Sequence, residues 1–165
     1  MEFTFALMTE ADARAVQAWR YEGEYAVYNM GPDDPEGLAE MLDRRSPYYA
    51  ARDGHGSLVG YFVFGASAGI QFPAPPALYD EDGAVKIGLG LRPDLTGKGL
   101  GLAFVNAGLA FARQQFEPSA FRLFVMPFNE RAIRVYERAG FERVGVVIQR
   151  GLEGERPFLE MRRAV

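Results

Sequence analysis

Thr96-Gly97-Lys98-Gly99-Leu100-Gly101 stands between a strand-like segment, Ala84 to Leu91, and a helical one running to about Phe116. Leu102, Val105, Leu109, Ala112 and Phe116 keep the three-four spacing of a helix with one apolar face. A helix start carries unpaired N–H groups and the positive end of the macrodipole. Glycines let that backbone turn tightly and approach an anion. The segment is therefore either a pyrophosphate cradle, with Lys98 as a mobile charge, or a glycine turn that packs a helix on a sheet. It is not a P-loop, because Leu102 follows Gly101 where Lys-Ser/Thr is required. The spacing also fails the dinucleotide fingerprint.

Working outward, Phe121 to Met126 reads as a strand. Asn129 to Ala139 reads as a short helix capped by Asn129 and ended by Gly140 at C′. Arg143 to Gln149 and Arg156 to Met161 form a last antiparallel pair around Gly151-Leu152-Glu153-Gly154. Upstream, Phe3, Phe5 and Leu7 alternate as a first strand. Thr9 caps a helix to about Trp19, with Asp12 in its first turn. Asp34 caps a second helix over 33–44, with Pro35 at its first position. Tyr48 to Arg52 and Leu58 to Phe64 are two strands joined by Asp53-Gly54-His55-Gly56. Gly65 to Asp82, with Pro73, Pro75 and Pro76, is a long loop. Gly88 and Gly90 inside the next strand predict a bulge or a close backbone approach. The order β-α-α-β-β-β-α-β-α-β-β is that of one mixed α/β domain.

Composition narrows the chemistry. The chain has 165 residues, 48% of them apolar, enough for one domain with a sizeable core. With no cysteine, disulfides, thiolate nucleophiles and Cys-based zinc sites are excluded. His55 is the sole histidine, and it falls on a hairpin tip, so no metal site is expected. A net charge of −4 argues against nucleic acid and leans toward a cationic or amine-bearing partner. No apolar run is long enough to cross a bilayer, and the start lacks the pattern of a signal peptide. A soluble, cytoplasmic protein is the expectation.

A second segment, Asn129-Glu130-Arg131-Ala132-Ile133-Arg134-Val135-Tyr136-Glu137-Arg138-Ala139-Gly140-Phe141, follows the glycine turn by about thirty residues. The pair resembles motifs A and B of the GCN5-related N-acetyltransferase (GNAT) family. The resemblance covers most of the chain and is weakest from Trp19 to Arg45. It implies a mixed, mostly antiparallel sheet of six to seven strands and about four helices. In that fold the strand ending at Leu91 splays from its parallel neighbour, the strand from Phe121. The resemblance further implies acetyl-CoA as co-substrate. By position, Leu89 and Leu91 would pair with the pantetheine amides through their backbone. Thr96, Gly97, Lys98, Gly99, Leu100 and Gly101 would hold the pyrophosphate, and Asn129 would contact the pantetheine arm or shape the site. A homodimer is plausible on the same ground.

Transfer of an acetyl group to an amine needs a neutral amine, a donor for the carbonyl oxygen and a proton for the departing sulfur. The resemblance implies a backbone N–H of a bulged strand for the oxygen and Tyr136 for the proton. Tyr136 has a second reading: with Gly140 at C′, Tyr136 is C3 and Phe141 is C″, the apolar pair of a Schellman ending. Two departures from the family stand out. Thr96 replaces the usual Arg or Gln, and Lys86 stands where several members carry a glutamate base. The base is then Glu24, Glu81, Asp82 or water. The aromatic and acidic cluster Trp19-Arg20-Tyr21-Glu22-Gly23-Glu24-Tyr25, with Tyr28, either lines the acceptor side or caps the sheet. The expected reaction is direct transfer to a small-molecule, peptide or protein amine. The alternative is a non-catalytic acyl-CoA-binding or sensor domain, and the acceptor is not legible.

Overall fold

The computed structural model describes residues 2–71, 74–151 and 154–165. Pro73 and the Leu152-Glu153 part of the last turn lie outside the described residues. The strands are β1 (Thr4–Leu7), β2 (Tyr48–Arg52), β3 (Leu58–Phe64), β4 (Val85–Leu91), β5 (Ala120–Val125), β6 (Glu142–Gly151) and β7 (Gly154–Ala164). They form one sheet in the order β1-β2-β3-β4-β5-β7-β6. Only the central pair β4–β5 is parallel. Among the described residues four α-helices accompany it: α1 (Glu10–Ala18), α2 (Pro35–Leu42), α3 (Gly101–Phe116) and α4 (Glu130–Arg138). This is the splayed mixed sheet that the sequence predicts.

Strand parity assigns the two faces. On β3, Phe62 and Phe64 point to the side of α3 and α4, where they join Phe104, Leu109 and Ile133. Tyr61 and Val63 point to the opposite side and meet Val16 of α1 and Met41 of α2. Phe62, Phe64, Phe104 and Phe121 are fully buried, each worth roughly 1.5–3 kcal/mol of removed apolar surface. Gly108 in α3 admits β3, since a Cβ there would enter the Phe62 ring.

Helix ends follow local chemistry. Thr9 and Asp12 form a reciprocal capping box on α1. Asp34 caps α2 and Pro35 takes its first position. That helix is shorter than 33–44, because Asp33 is left-handed (φ 56°) and the Asp43 carboxylate ties the Arg45 N–H just past the end. A 3₁₀ turn, Gly23–Tyr28, occupies the aromatic cluster, and another, Ala66–Ala68, opens the long loop. The expected bulge in β4 is absent: β3 and β4 pair without a register shift from Gly60↔Leu91 to Phe64↔Ile87. Gly88 and Gly90 are instead approached by side chains. A Cβ at Gly88 would lie 2.8 Å from Val63, and one at Gly90 would lie 2.5 Å from the Tyr61 ring. The outer strands run beyond the predicted 143–149 and 156–161, because their ladder continues to the Gly151↔Gly154 pair.

Candidate active site

The β4–β5 ladder holds only Val85↔Phe121 and Lys86↔Arg122. Beyond it the strands part, and a cleft of about 610 Å³ opens between them. Gly65 N–H donates to Lys86 O and Arg92 N–H to Val59 O, so even-numbered backbone groups of β4 face β3. Those of Ile87, Leu89 and Leu91 then face the split. The Leu91 carbonyl already accepts the Tyr21 hydroxyl at 2.5 Å, which leaves its N–H and both groups of Leu89 toward the cleft.

At the wide end of the split lies the glycine turn. Gly97 and Gly99 adopt φ of 71° and 78°, a region costly for any residue with a Cβ. No side chain caps α3, so its first N–H groups stay open. Thr96, Gly97, Gly99 and Gly101 line the cleft; Lys98 and Leu100 do not, and Lys98 is exposed. The Thr96 hydroxyl donates to Pro93 O at 2.7 Å and so braces the turn rather than reaching into the cleft. A positive charge is supplied by Arg131, whose Nη1 lies 3.2 Å from where a Gly97 Cβ would stand. Its guanidinium rests 4.4 Å over the Tyr25 ring. The open donors, the absent Cβ atoms and this guanidinium fit a diphosphate.

Asn129 caps α4 by accepting the Ala132 N–H at 3.2 Å, and its Nδ2 donates to the Tyr28 hydroxyl at 3.1 Å. Both ends of the amide are engaged, so Asn129 shapes the cleft wall. Tyr136 combines its two readings. Phe141 N–H donates to Tyr136 O and Gly140 N–H to Glu137 O, both at 3.0 Å, with Gly140 at φ 96°: a complete Schellman ending. The Tyr136 and Phe141 rings pack edge-to-face at 6.1 Å. The Tyr136 side chain also lines the cleft. Burial first, then the phenols of Tyr28 and Tyr61, pushes its hydroxyl well above the ordinary value. It is therefore a neutral, proton-carrying group at any physiological pH.

The acidic candidates fall elsewhere. Glu24 is exposed on the 3₁₀ turn and does not line the cleft. Glu81 and Asp82 sit at the opposite end of β4 from the split. Asp82 caps the Ala84 N–H at 3.0 Å and pairs with Arg162 at 2.8 Å. Lys86 does not line the cleft: its side chain pairs with Asp80, which also holds Arg122. His55 is an exposed turn residue whose N–H donates to Asp53. Tyr25 and Tyr28 do reach the cleft, joined by Trp19 and Tyr21 of the same cluster. Tyr48, Tyr61, Arg131, Arg138 and Phe158 also line it. Sequence reasoning missed these. Tyr61 was signalled by alternation with Phe62 and Phe64, and Arg131 by its place two residues after the Asn129 cap.

Residues 2–142 match the family described as Acetyltransferase (GNAT) domain. Aminoglycoside N(6′)-acetyltransferase type 1 of Klebsiella pneumoniae is 30% identical over 157 residues, covering 87% of this chain and 76% of that protein. Mycothiol acetyltransferase of Propionibacterium freudenreichii subsp. shermanii is 37% identical over 94 residues, which are 55% of this chain. The match spans about a quarter (26%) of that relative's length. Among solved structures, AAC(6′)-Ib in complex with ribostamycin and coenzyme A superposes with a TM-score of 0.73 at 25% identity, covering 99% of this chain and 94% of that one. A chimera of the spermidine N-acetyltransferase SpeG from Vibrio cholerae with hSSAT shares the fold alone, at TM-score 0.75 and 15% identity, covering 99% of this chain and 96% of that one. The split sheet with its glycine turn and the match over residues 2–142 lead to one conclusion: the chain belongs to the GNAT acetyltransferase family.

Proposed function

We propose that this chain is an acetyl-CoA-dependent N-acetyltransferase that works by direct transfer in a ternary complex. The observation that carries the reading is the split after Lys86↔Arg122, with the uncapped start of α3 opening into the same cleft as Tyr136. The relative named as an aminoglycoside N(6′)-acetyltransferase and the solved complex of AAC(6′)-Ib with coenzyme A support an amine acceptor and this co-substrate.

Acetyl-CoA supplies the acyl group as a thioester, which a neutral amine takes directly. The residues do the rest. The N–H groups from Gly97 to Gly101 and the Arg131 guanidinium hold the diphosphate. The backbone of Leu89 and the N–H of Leu91 extend the sheet toward the pantetheine arm and orient it. Tyr136 holds a proton at its hydroxyl and delivers it to the departing sulfur, and the proton that the nitrogen sheds as the amide forms returns to the tyrosine oxygen through water. No carboxylate lines the cleft among the described residues, so the amine loses its proton to water before attack.

A non-catalytic acyl-CoA-binding domain would keep the same cradle, and turnover that depends on Tyr136 separates the two. The test pairs calorimetry of CoA binding with a free-thiol turnover screen over many amines, the absence of cysteine removing background. No CoA binding at high concentration would sink the reading.

A further inference from the structure

The reading above leaves the acceptor open, and the walls of the cleft narrow it. The side of β4 that faces α1 and α2 carries no side chain at Gly88 and Gly90, so the Tyr61 ring lies flat against the strand. Trp19 packs against Tyr61 with ring centres 6.3 Å apart, and Tyr48 stacks on the same ring at 5.9 Å. Tyr28, held by Asn129 and stacked on Phe128 at 6.0 Å, closes the opposite wall. These are large apolar faces with polar tips, suited to an aromatic or aliphatic body.

The charges point the same way. Among the described residues that line the cleft there is no Asp or Glu, and the charged side chains are Arg131 and Arg138. Burial raises the phenols of Tyr21, Tyr28, Tyr61 and Tyr136, so none offers an anion near neutral pH. Glu40 accepts the Tyr48 hydroxyl at 3.4 Å and lines a second, smaller recess beside Ala39 and Asp43, which meets the cleft only at Ser67. One ammonium group can rest on tyrosine and tryptophan faces before it loses its proton. A second or third would be desolvated without a carboxylate in the described lining.

We infer that the acceptor is a primary amine on an aromatic or apolar body bearing a single positive charge, and that polyamines and other polycations bind more weakly. This rests on the proposed acetyl transfer only for its chemistry; binding of the amine is testable by itself. Trp19 is the sole tryptophan and lies in the wall, so its fluorescence reports occupancy without turnover.

The experiment titrates the full chain, with and without saturating CoA, with phenethylamine and with spermidine, and runs both amines in the free-thiol assay. Phenethylamine is expected to bind at least ~10-fold more tightly, about 1.4 kcal/mol. Its affinity should change little as salt rises from about 0.05 to about 0.3 M. Tighter spermidine binding, steep salt dependence, or silence of Trp19 to both amines overturns the inference. Tyr136-dependent transfer to spermidine in preference to phenethylamine would overturn it while leaving the transferase reading intact. Bound phenethylamine in a protein that takes up no CoA would do the reverse. Ser67→Asp, which adds a carboxylate to the lining, is expected to shift the affinity ratio toward spermidine by at least ~10-fold. An unmoved ratio removes charge as the determinant.

Discussion

Replacing Tyr136 by Phe removes one oxygen and little else. The ring keeps its edge-to-face partner Phe141, and the Schellman bonds from Phe141 and Gly140 run through backbone atoms. Stability should therefore stay within about 0.5 kcal/mol, as for a substitution that touches no core contact. The kinetic cost follows from the acidity of the two partners. General acid catalysis is worth about 10²–10⁴-fold. A thiol titrates near ~8.5, while burial holds the Tyr136 hydroxyl well above the ordinary phenol value. So weak an acid gives a proton to sulfur late in the step, which places the loss at the low end. The expected fall in kcat is about 10²-fold, or ~2.7 kcal/mol. The assay is the initial rate of thiol release at saturating amine, with CoA affinity by calorimetry and thermal unfolding on the same samples. A kcat within two-fold of the parent, at equal stability and CoA affinity, would refute the assigned role.

Four further perturbations test the rest of the framework. Gly99→Ala meets no atom within 4 Å but must hold φ 78°; at ~1–2 kcal/mol for a left-handed Ala, CoA affinity by calorimetry should weaken about 5–30-fold. Gly108→Ala would ordinarily stabilise a helix by about 1 kcal/mol, yet here the Cβ enters the Phe62 ring. Overpacking of ~1–3 kcal/mol should prevail and lower Tm by several degrees, and a raised Tm would contradict the packing. Asp12, buried and paired with Arg52 at 2.6 Å, feels burial pushing its carboxyl up, but the Arg52 and Thr9 hydrogen bonds outweigh it and hold the group below its ordinary value. Its stabilisation is full above the unfolded carboxyl value and fades as pH falls through the lowered one. Arg52→Met should thus cost about 1–3 kcal/mol at neutral pH by chemical denaturation and flatten the acid limb. Lys86→Met should leave kcat within two-fold in the thiol assay, because its ammonium is spent on Asp80 outside the cleft; a large loss would restore Lys86 to the chemistry.

What the sequence made legible was whatever depends on local backbone demands. Gly97 and Gly99 are glycines because positive φ is required there, and Thr9, Asp34 and Asn129 cap helices by chemistry that acts over three residues. Gly140 and Phe141 disclosed the end of α4 for the same reason. Residues brought together by topology were not legible. Glu81 and Asp82 adjoin β4 in sequence, but a strand of seven residues carries them away from the split. Arg131 reaches Gly97 only because α4 lies against the start of α3. Tyr61 enters the cleft because Gly90, thirty residues on, lacks a side chain. Gly88 and Gly90 predict a bulge or a close backbone, and the structure has neither for a related reason: the close neighbours are the Tyr61 and Val63 side chains on the paired strand.

The parity of β4 divides the labour of the site between backbone and side chains. Odd positions turn their N–H and C=O groups into the split, and what those groups offer a pantetheine arm does not depend on which side chain the residue carries. The same holds at the glycine turn, where the donors are main-chain N–H groups and Thr96 contributes only a brace to Pro93. Even positions, Gly88 and Gly90, decide instead how much room is left on the face of α1 and α2, and the side chains arriving there come from β3 and from the segment after α1. Substitution on that second set changes the wall of the cleft without moving a donor on the first. Under the proposed transfer, a co-substrate held by backbone groups and an acceptor held by side chains would diverge independently.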